Sequence, residues 1–485
     1  MLTTSLSVLA LLATAANAAP AAISNAGVST SDVFPPTGTQ VNTALFPDES
    51  VVGYQQPTPT GVEPFLAQTG VAYPSHTAIY PLVVPQPSST GAVKSNKPFN
   101  IAKYWGNLTP QFSVDSSFYG LAGASPSIPA QCEIVQFHTL FRHGARYPTT
   151  GAAPSTWAAK VQNATKTEEG FTASGPLEFL NEWEYQLGAE LLTPFGRLQN
   201  FQWGVAARQL YGKLLNNFTE TGTLPVFRTQ SQDRMNFAAG FFGVPEYVDQ
   251  VSITLGVEAK GLNTSGAPYE TCPNSNNARG SVGSTASTAF VKPFYEKTAA
   301  RLSQYVSGNL TIEETDINAL LQLCSYETDA LGESEYCKLF TEEEFQVYEQ
   351  AYDLSFSGKV SIMDAMTALN LKALAPLVPT DKLSTHHQYI ASQIVPFGTI
   401  LQIQVLECQP SVPTKQIRFI LNDAVLPIHD SYEGCNEDFN GLCAYDTVVA
   451  GLKKRLSEID VDYACNGNYS VPVYGDIVDG LPPKA

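Results

Sequence analysis

Residues 141–149, F-R-H-G-A-R-Y-P-T, set His143 between Arg142 and Arg146 beside Gly144, directly after the apolar run C-E-I-V-Q-F-H-T-L. Two fixed cations disfavour the imidazolium form, so His143 is expected to stay neutral and nucleophilic at a lower pH than a free histidine. Arginine presents a planar fork of donors that matches the oxygens of a tetrahedral dianion, and Gly144 lets backbone approach closely. These properties suit an imidazole that attacks phosphorus while guanidiniums take up the charge on the equatorial oxygens. A bare R-H-G triplet reads more simply as a structural histidine with two surface arginines. The longer string changes that, and a second stretch repeats the geometry: strand-like L-P-V-F delivers Arg228, followed by T-Q-S-Q-D-R-M-N-F. Arg234, further along, is read as an ion-pair partner.

The elements that position these residues follow from periodicity. E-I-V-Q-F-H-T-L reads as a strand ending near Leu140, so Arg142, His143, Gly144 and Arg146 fall at its carboxyl end, where open α/β sheets bind ligands. T-P-F-G-R-L-Q-N-F-Q-W-G-V-A-A-R-Q-L-Y reads as a helix, L-P-V-F as a strand, and Q-D-R-M-N-F-A-A-G-F-F as a helix. Helical patterns dominate from Ser287 to Leu374. Two strand-like runs follow, T-I-L-Q-I-Q-V-L-E-C and Q-I-R-F-I-L-N-D-A-V-L-P-I, and a last helix covers Asp446 to Ile459. This alternation predicts an α/β fold with helices on a central mixed sheet and a smaller helical subdomain at about 200–370.

The chain has 485 residues, 44% of them hydrophobic, enough for a large core. Lys plus Arg number 27 against 45 Asp plus Glu, a net charge of -18, and no basic run appears, which argues against nucleic-acid and anionic-membrane partners. An anionic substrate then needs a focused positive pocket in a negative protein. The 141–149 stretch offers one.

The first residues end a short apolar run at Ala16-Asn17-Ala18, a small-x-small pattern, so 1–18 is expected to be a secretory signal. Residues 19–98 are rich in Pro, Ser, Thr, Gly and Ala and read as a flexible leader, with the globular domain over 99–485. Six N-x-S/T sequons, at Asn107, Asn163, Asn217, Asn263, Asn309 and Asn468, lean the same way. Eight cysteines without C-x-x-C spacing favour disulfides over zinc or redox chemistry, and Cys324/Cys337 and Cys435/Cys443 are close enough to staple local loops. No metal cluster accompanies His386 and His387, which read as a polar T-H-H-Q loop or helix start. His138 reads as a core residue of its strand, and His76 lies in the leader.

With R-H-G-A-R-Y-P-T, Y-Q-L-G-A-E-L-L-T-P-F-G (Tyr185 to Gly196), F-R-T-Q-S-Q-D-R (Phe227 to Arg234) and the cysteine layout in view, the chain resembles the histidine acid phosphatases, within them the secreted fungal phytase-like group, over most of residues 100–475. The resemblance implies a phosphohistidine at His143, with phosphate held by Arg142, Arg146 and Arg228 and no metal or other cofactor. It also implies the pairs Cys132–Cys408, Cys272–Cys465, Cys324–Cys337 and Cys435–Cys443. The implied fold is a large α/β domain with a smaller helical one, of the phosphoglycerate mutase-like kind, and the implied activity is phosphoric monoester hydrolysis, extending to the 3-phytase reaction.

The family's proton donor is the aspartate of a His-Asp pair, and here the match breaks. The only His-Asp dipeptide, His429-Asp430, lies in a segment resembling one downstream of the catalytic pair. The pair belongs before V-S-I-M-D-A-M-T-A-L-N-L, yet reading back from Val360 gives S-F-S-G-K. The helical E-E-E-F-Q-V-Y-E-Q-A-Y-D-L runs almost straight into it, where family members carry a further helix and strand. An internal deletion with its downstream edge just before Gly358 accounts for this, arising from a misplaced exon boundary or marking a donor-less paralogue.

The leading expectation is therefore a secreted acid phosphatase acting on phosphomonoesters, phytate among the candidates. Against it stands a catalytically impaired phosphate-ester-binding paralogue. A phosphoglycerate-mutase-like transferase shares the chemistry but fits poorly with a signal, sequons and paired cysteines. After Thr149 the chain reads T-G-A-A-P-S rather than the lysine-bearing sequence of typical fungal phytases, which tilts towards broad specificity. Acidic composition repels a polyanion until neutralised, which predicts an acidic optimum. Oligomeric state is not legible in the sequence.

Overall fold

The computed structural model describes residues 99–221, 223–230, 252–256, 271–357, 369, 371, 378–384, 387, 389–410, 413–476 and 481–483. The signal, the leader, His76, Arg234, His386, the Q-D-R-M-N-F helix, the V-S-I-M segment and the Asn263 sequon lie outside the described residues. All described residues belong to one compact unit, Glu49–Ala485.

In chain order the main elements are β1 (Cys132–Phe141), α1 (Ala153–Thr165), β2 (Phe171–Ala173), α2 (Pro194–Thr221), β3 (Val226–Gln230), β4 (Ser252–Gly256), α3 (Val282–Leu302), β5 (Val306–Gly308), α4 (Glu314–Leu331) and α5 (Glu342–Ser357). After these come α6 (Ala391–Ile394), β6 (Ile400–Cys408), β7 (Lys415–Leu421), β8 (Ala424–Val425), β9 (Cys443–Ala444), α7 (Tyr445–Glu458) and α8 (Val461–Asn466). The central sheet runs β1-β6-β7-β8, with β9 also on β7, and every pairing in it is antiparallel. Among the described strands, the parallel character expected of a mixed sheet appears in β3–β4, which form a separate two-stranded sheet.

Strand β6 is almost wholly buried between β1 and β7, with Gln402 and Gln404 set among its apolar residues. The second strand-like run breaks at Asn422-Asp423, whose φ values of 47° and 73° form the two-residue connection that a right-twisted hairpin demands, giving β7 and β8. Tyr211 of α2 stacks on Phe137 at 3.8 Å between centroids and links to Gln404 of β6, seating the helix on the β1–β6 face. Gln404 in turn accepts from the fully buried Arg418 at 2.8 Å, whose remaining donors reach the carbonyls of Ser125, Pro126 and Ser127.

Strand β1 departs from its expected setting. Val135 and Leu140 are 40% and 54% exposed although the strand is apolar enough for a sheet interior, and among the described residues β6 is its only partner. His138, expected in the core, is exposed and touches the amide of Gln136 at 2.7 Å.

Helices α3, α4 and α5 pack together into an apolar body with α1 against α4; Trp157 donates to Tyr336 at 2.9 Å within it. Four disulfides, Cys132–Cys408, Cys272–Cys465, Cys324–Cys337 and Cys435–Cys443, cross-brace the unit, and they are the pairs implied by the resemblance. Cys132 and Cys408 face each other across the first rung of β1–β6. No helix among the described residues is long and apolar enough to cross a membrane.

Candidate active site

The arginine-flanked histidine sits where β1 leaves the sheet. The amide of Arg142 still donates to Thr399 O at 2.9 Å, and Gly398 N then donates to His143 O at 2.9 Å, so the loop is held against the P-F-G turn that precedes β6. On its other side the loop lies on the start of α2. Ala145 O accepts from Thr193 N at 2.9 Å, while the Thr193 hydroxyl accepts from Gly196 N at 3.0 Å and caps the helix. Asn200 Oδ1 takes the amide of Gly144 at 3.1 Å and Gln199 Oε1 that of Ala145 at 2.8 Å. The loop thus has its backbone satisfied by the first two turns of the helix.

That contact explains two glycines. A Cβ on Gly144 would stand 2.1 Å from Gly196 O, and one on Gly196 would stand 1.8 Å from Ala145 O. Both obstacles are backbone, so neither yields. Sequence reasoning assigned Gly144 to ligand approach; its structural duty is to let the loop meet the helix. Thr193, Gln199 and Asn200 were not singled out, though T-P-F-G followed by L-Q-N carries the pattern: a capping hydroxyl, a glycine and two side-chain amides within about two helical turns.

His143 is 8% exposed, and its Nδ1 lies 2.8 Å from Gly144 O. A carbonyl oxygen only accepts, so Nδ1 carries the proton and the neutral ring keeps its lone pair on Nε2. The ring of Phe397 stands 5.9 Å from the imidazole and 4.5 Å beneath the guanidinium carbon of Arg142. Arg142 Nη1 donates to Asn107 O and to Val395 O, the latter at 2.7 Å. Arg146 Nη1 donates to Tyr147 O at 2.7 Å, and its Nε is buried without a hydrogen-bond acceptor.

The structure therefore brings Arg142, His143 and Arg146 onto one braced loop. Arg228 is exposed on β3, and among the described residues no hydrogen bond or ion pair joins it to the loop. His429 and Asp430 pair at 3.3 Å on the surface, where the Asp430 side chain is 80% exposed and Glu437 stands 3.9 Å from the imidazole. His387, expected in a polar loop, is instead buried against Asp353 of α5, Nε2 to Oδ2 at 2.7 Å. Burial shifts both groups towards their neutral forms, lowering the pKa of His387 and raising that of Asp353. Among the described residues no cluster of His, Cys, Asp and Glu could hold a metal ion.

An apolar strand delivering a braced R-H-x-x-R loop onto a helix start defines a class, and residues 133–359 match the family model of the histidine phosphatase superfamily (branch 2). The chain is similar to "Phytase PHO112" of Candida albicans, 26% identical over 468 residues, 84% of this chain and 94% of that protein. It is also similar to "Acid phosphatase" of Schizosaccharomyces pombe, 25% identical, over 73% of this chain and 89% of that one. The crystal structure of the phytase from D. castellii shares the fold with a TM-score of 0.61 at 22% identity, covering 77% of this chain and 90% of that one.

Proposed function

We propose that the chain is a secreted acid phosphatase of the phytase-like kind, cleaving phosphomonoesters through a phosphohistidine at His143. The observation that carries this reading is the contact of His143 Nδ1 with Gly144 O, which puts the ring proton on Nδ1 and the lone pair on Nε2, on the loop that also carries Arg142 and Arg146. In the first step the Nε2 lone pair bonds to phosphorus as the ester P–O bond breaks, and the departing alkoxide takes a proton. Water then attacks the phosphoryl group, the P–N bond breaks, and inorganic phosphate leaves. Arg142 and Arg146 hold the equatorial oxygens, and Arg228 joins them in the complete site. Fungal relatives named as phytases and an acid phosphatase support the substrate class. The four disulfides and the sequence signal 1–18 support secretion, with the leader at 19–98 and the catalytic domain beyond it.

A polyphosphorylated ring is not favoured over simpler esters at this rim. Thr150 N donates to the carboxylate of Glu190 at 2.9 Å, which places a negative charge beside a loop without lysine. This supports broad specificity.

A second reading, a phosphate-ester binder that does not complete the reaction, is favoured by the missing donor. Asp430 is too exposed to serve in a water-excluded site. Among the described residues, the unpaired edge of β1 and the separate β3–β4 sheet, together with the end of the family match at residue 359, are compatible with loss of a strand-bearing segment before Gly358. Assaying the chain with p-nitrophenyl phosphate and phytate at acidic pH separates the readings. Turnover of p-nitrophenyl phosphate alone, whose leaving group needs no proton, marks an intact nucleophile without its acid. Turnover of both identifies a complete enzyme with another donor, and binding without turnover supports the silent binder.

A further inference from the structure

Arg142 is gripped by two carbonyls, and both belong to short segments with little regular structure of their own: Asn107 in the 3-10 turn Gly106–Leu108, and Val395 just past the four-residue helix α6. One side chain ties these two segments together. Glu349 of α5 accepts from Gly106 N through Oε2 at 2.7 Å and from Ser392 N through Oε1 at 2.8 Å. Each of these partners lies one to three residues from a carbonyl that holds the guanidinium. One turn along α5, Asp353 accepts from Ala391 N at 2.6 Å and meets His387, so the α6 segment is pinned twice. The fit is close: Gly106 has φ +56°, and a Cβ there would stand 2.3 Å from the ring of Tyr352, also on α5. Glu349 is 5% exposed and Asp353 fully buried.

We propose that Glu349 is a positioning residue for Arg142: one carboxyl group, by holding Gly106 and Ser392, sets the spacing of the Asn107 and Val395 carbonyls and so the direction of the guanidinium fork. The inference rests on the reading of Arg142 as a phosphate ligand. A fork that loses this spacing keeps its charge but loses the bidentate match to phosphate oxygens. Glu349 touches neither phosphate nor His143; its effect passes entirely through Arg142.

The test is a double-mutant cycle read by calorimetric titration of the full chain with inorganic phosphate. E349A is expected to weaken phosphate on the order of tenfold, and E349Q, which keeps one acceptor oxygen, by less. In an R142A background E349A should change phosphate affinity no further. Equal losses in both backgrounds, or E349A binding like the unaltered chain, overturn the inference, since a merely structural role predicts loss independent of Arg142. Should E349A fail to fold, E349Q carries the same cycle. If the unaltered chain binds no phosphate, the pocket reading itself falls and takes this inference with it; if it binds and the cycle shows no coupling, the positioning role alone is refuted.

Discussion

Glu327 offers a pH dependence that the structure makes quantitative. It lies on α4, 5% exposed, with Oε1 accepting from Trp183 Nε1 at 2.9 Å and Oε2 2.6 Å from the hydroxyl of Ser334. Burial pushes its carboxyl from 4.5 up to about 7, against the opposing effect of those two bonds. A carboxyl whose pKa is raised on folding stabilises the folded state fully below its unfolded pKa, and that stabilisation is lost as pH rises through the folded value. At about 1.4 kcal/mol per unit, the shift amounts to roughly 3 kcal/mol lost between about pH 4.5 and pH 8. Glu349, pushed up to about 8 by burial and then by Asp353, acts with the same sign, while His387, held down by burial, acts in the opposite direction. The variant E327Q isolates the effect, because glutamine reproduces the neutral acid: its oxygen accepts from Trp183 and its amide donates to Ser334. Thermal unfolding should show E327Q close to the unaltered chain near pH 4.5 and more stable by about 3 kcal/mol near pH 8. With an unfolding entropy of about 2 cal/mol/K per residue over 99–485, this is roughly 4 °C in the midpoint. An E327Q variant destabilised equally at both pH values would refute the reasoning, since it would mean that the charged form is the one accommodated.

G196A should drive a methyl into the Ala145 carbonyl, costing about 1–3 kcal/mol in the unfolding midpoint and losing phosphate binding together with it. R142A should weaken phosphate by about 10- to 100-fold in titration, the range of a charge-assisted pair. D430N should leave turnover of p-nitrophenyl phosphate unchanged, since the carboxylate is 80% exposed and pairs only with its own histidine region. Glycopeptide mapping of the secreted chain should find carbohydrate at Asn163, Asn309 and Asn468, which are exposed, and none at Asn107, whose side-chain oxygen is buried and whose Thr109 is 1% exposed.

What was legible in the sequence was whatever depends on local pattern. β1, the long helix after T-P-F-G, the β6 strand and the final helix fall where periodicity put them, because each has an apolar repeat strong enough to decide its own conformation. The hairpin at Asn422-Asp423 was run through as one strand, although two adjacent residues tolerant of positive φ are the signal of such a turn. What was not legible depends on company. His138 was assigned to the core on the strength of its strand's apolar character, and a strand's burial is set by its neighbours: among the described residues β1 pairs with β6 alone. His387 looked polar and exposed until Asp353, 34 residues earlier, gave it a buried partner. Arg228 was expected at a strand end but lies in the middle of β3, and which sheet that strand joins is a long-range choice: β3 pairs with β4 in a two-stranded sheet of its own.

The central claim is that His143 Nε2 is the nucleophile in a cradle built by Arg142 and the α2 start. The direct measurement is to mix the chain with p-nitrophenyl phosphate at acidic pH, quench into alkaline denaturant within the first turnover, and map the phosphoryl group by mass spectrometry. The account predicts a phosphoryl group on the peptide carrying His143, absent from H143A. Release of p-nitrophenol with no phosphoryl group on His143, or a label that survives H143A, would contradict it.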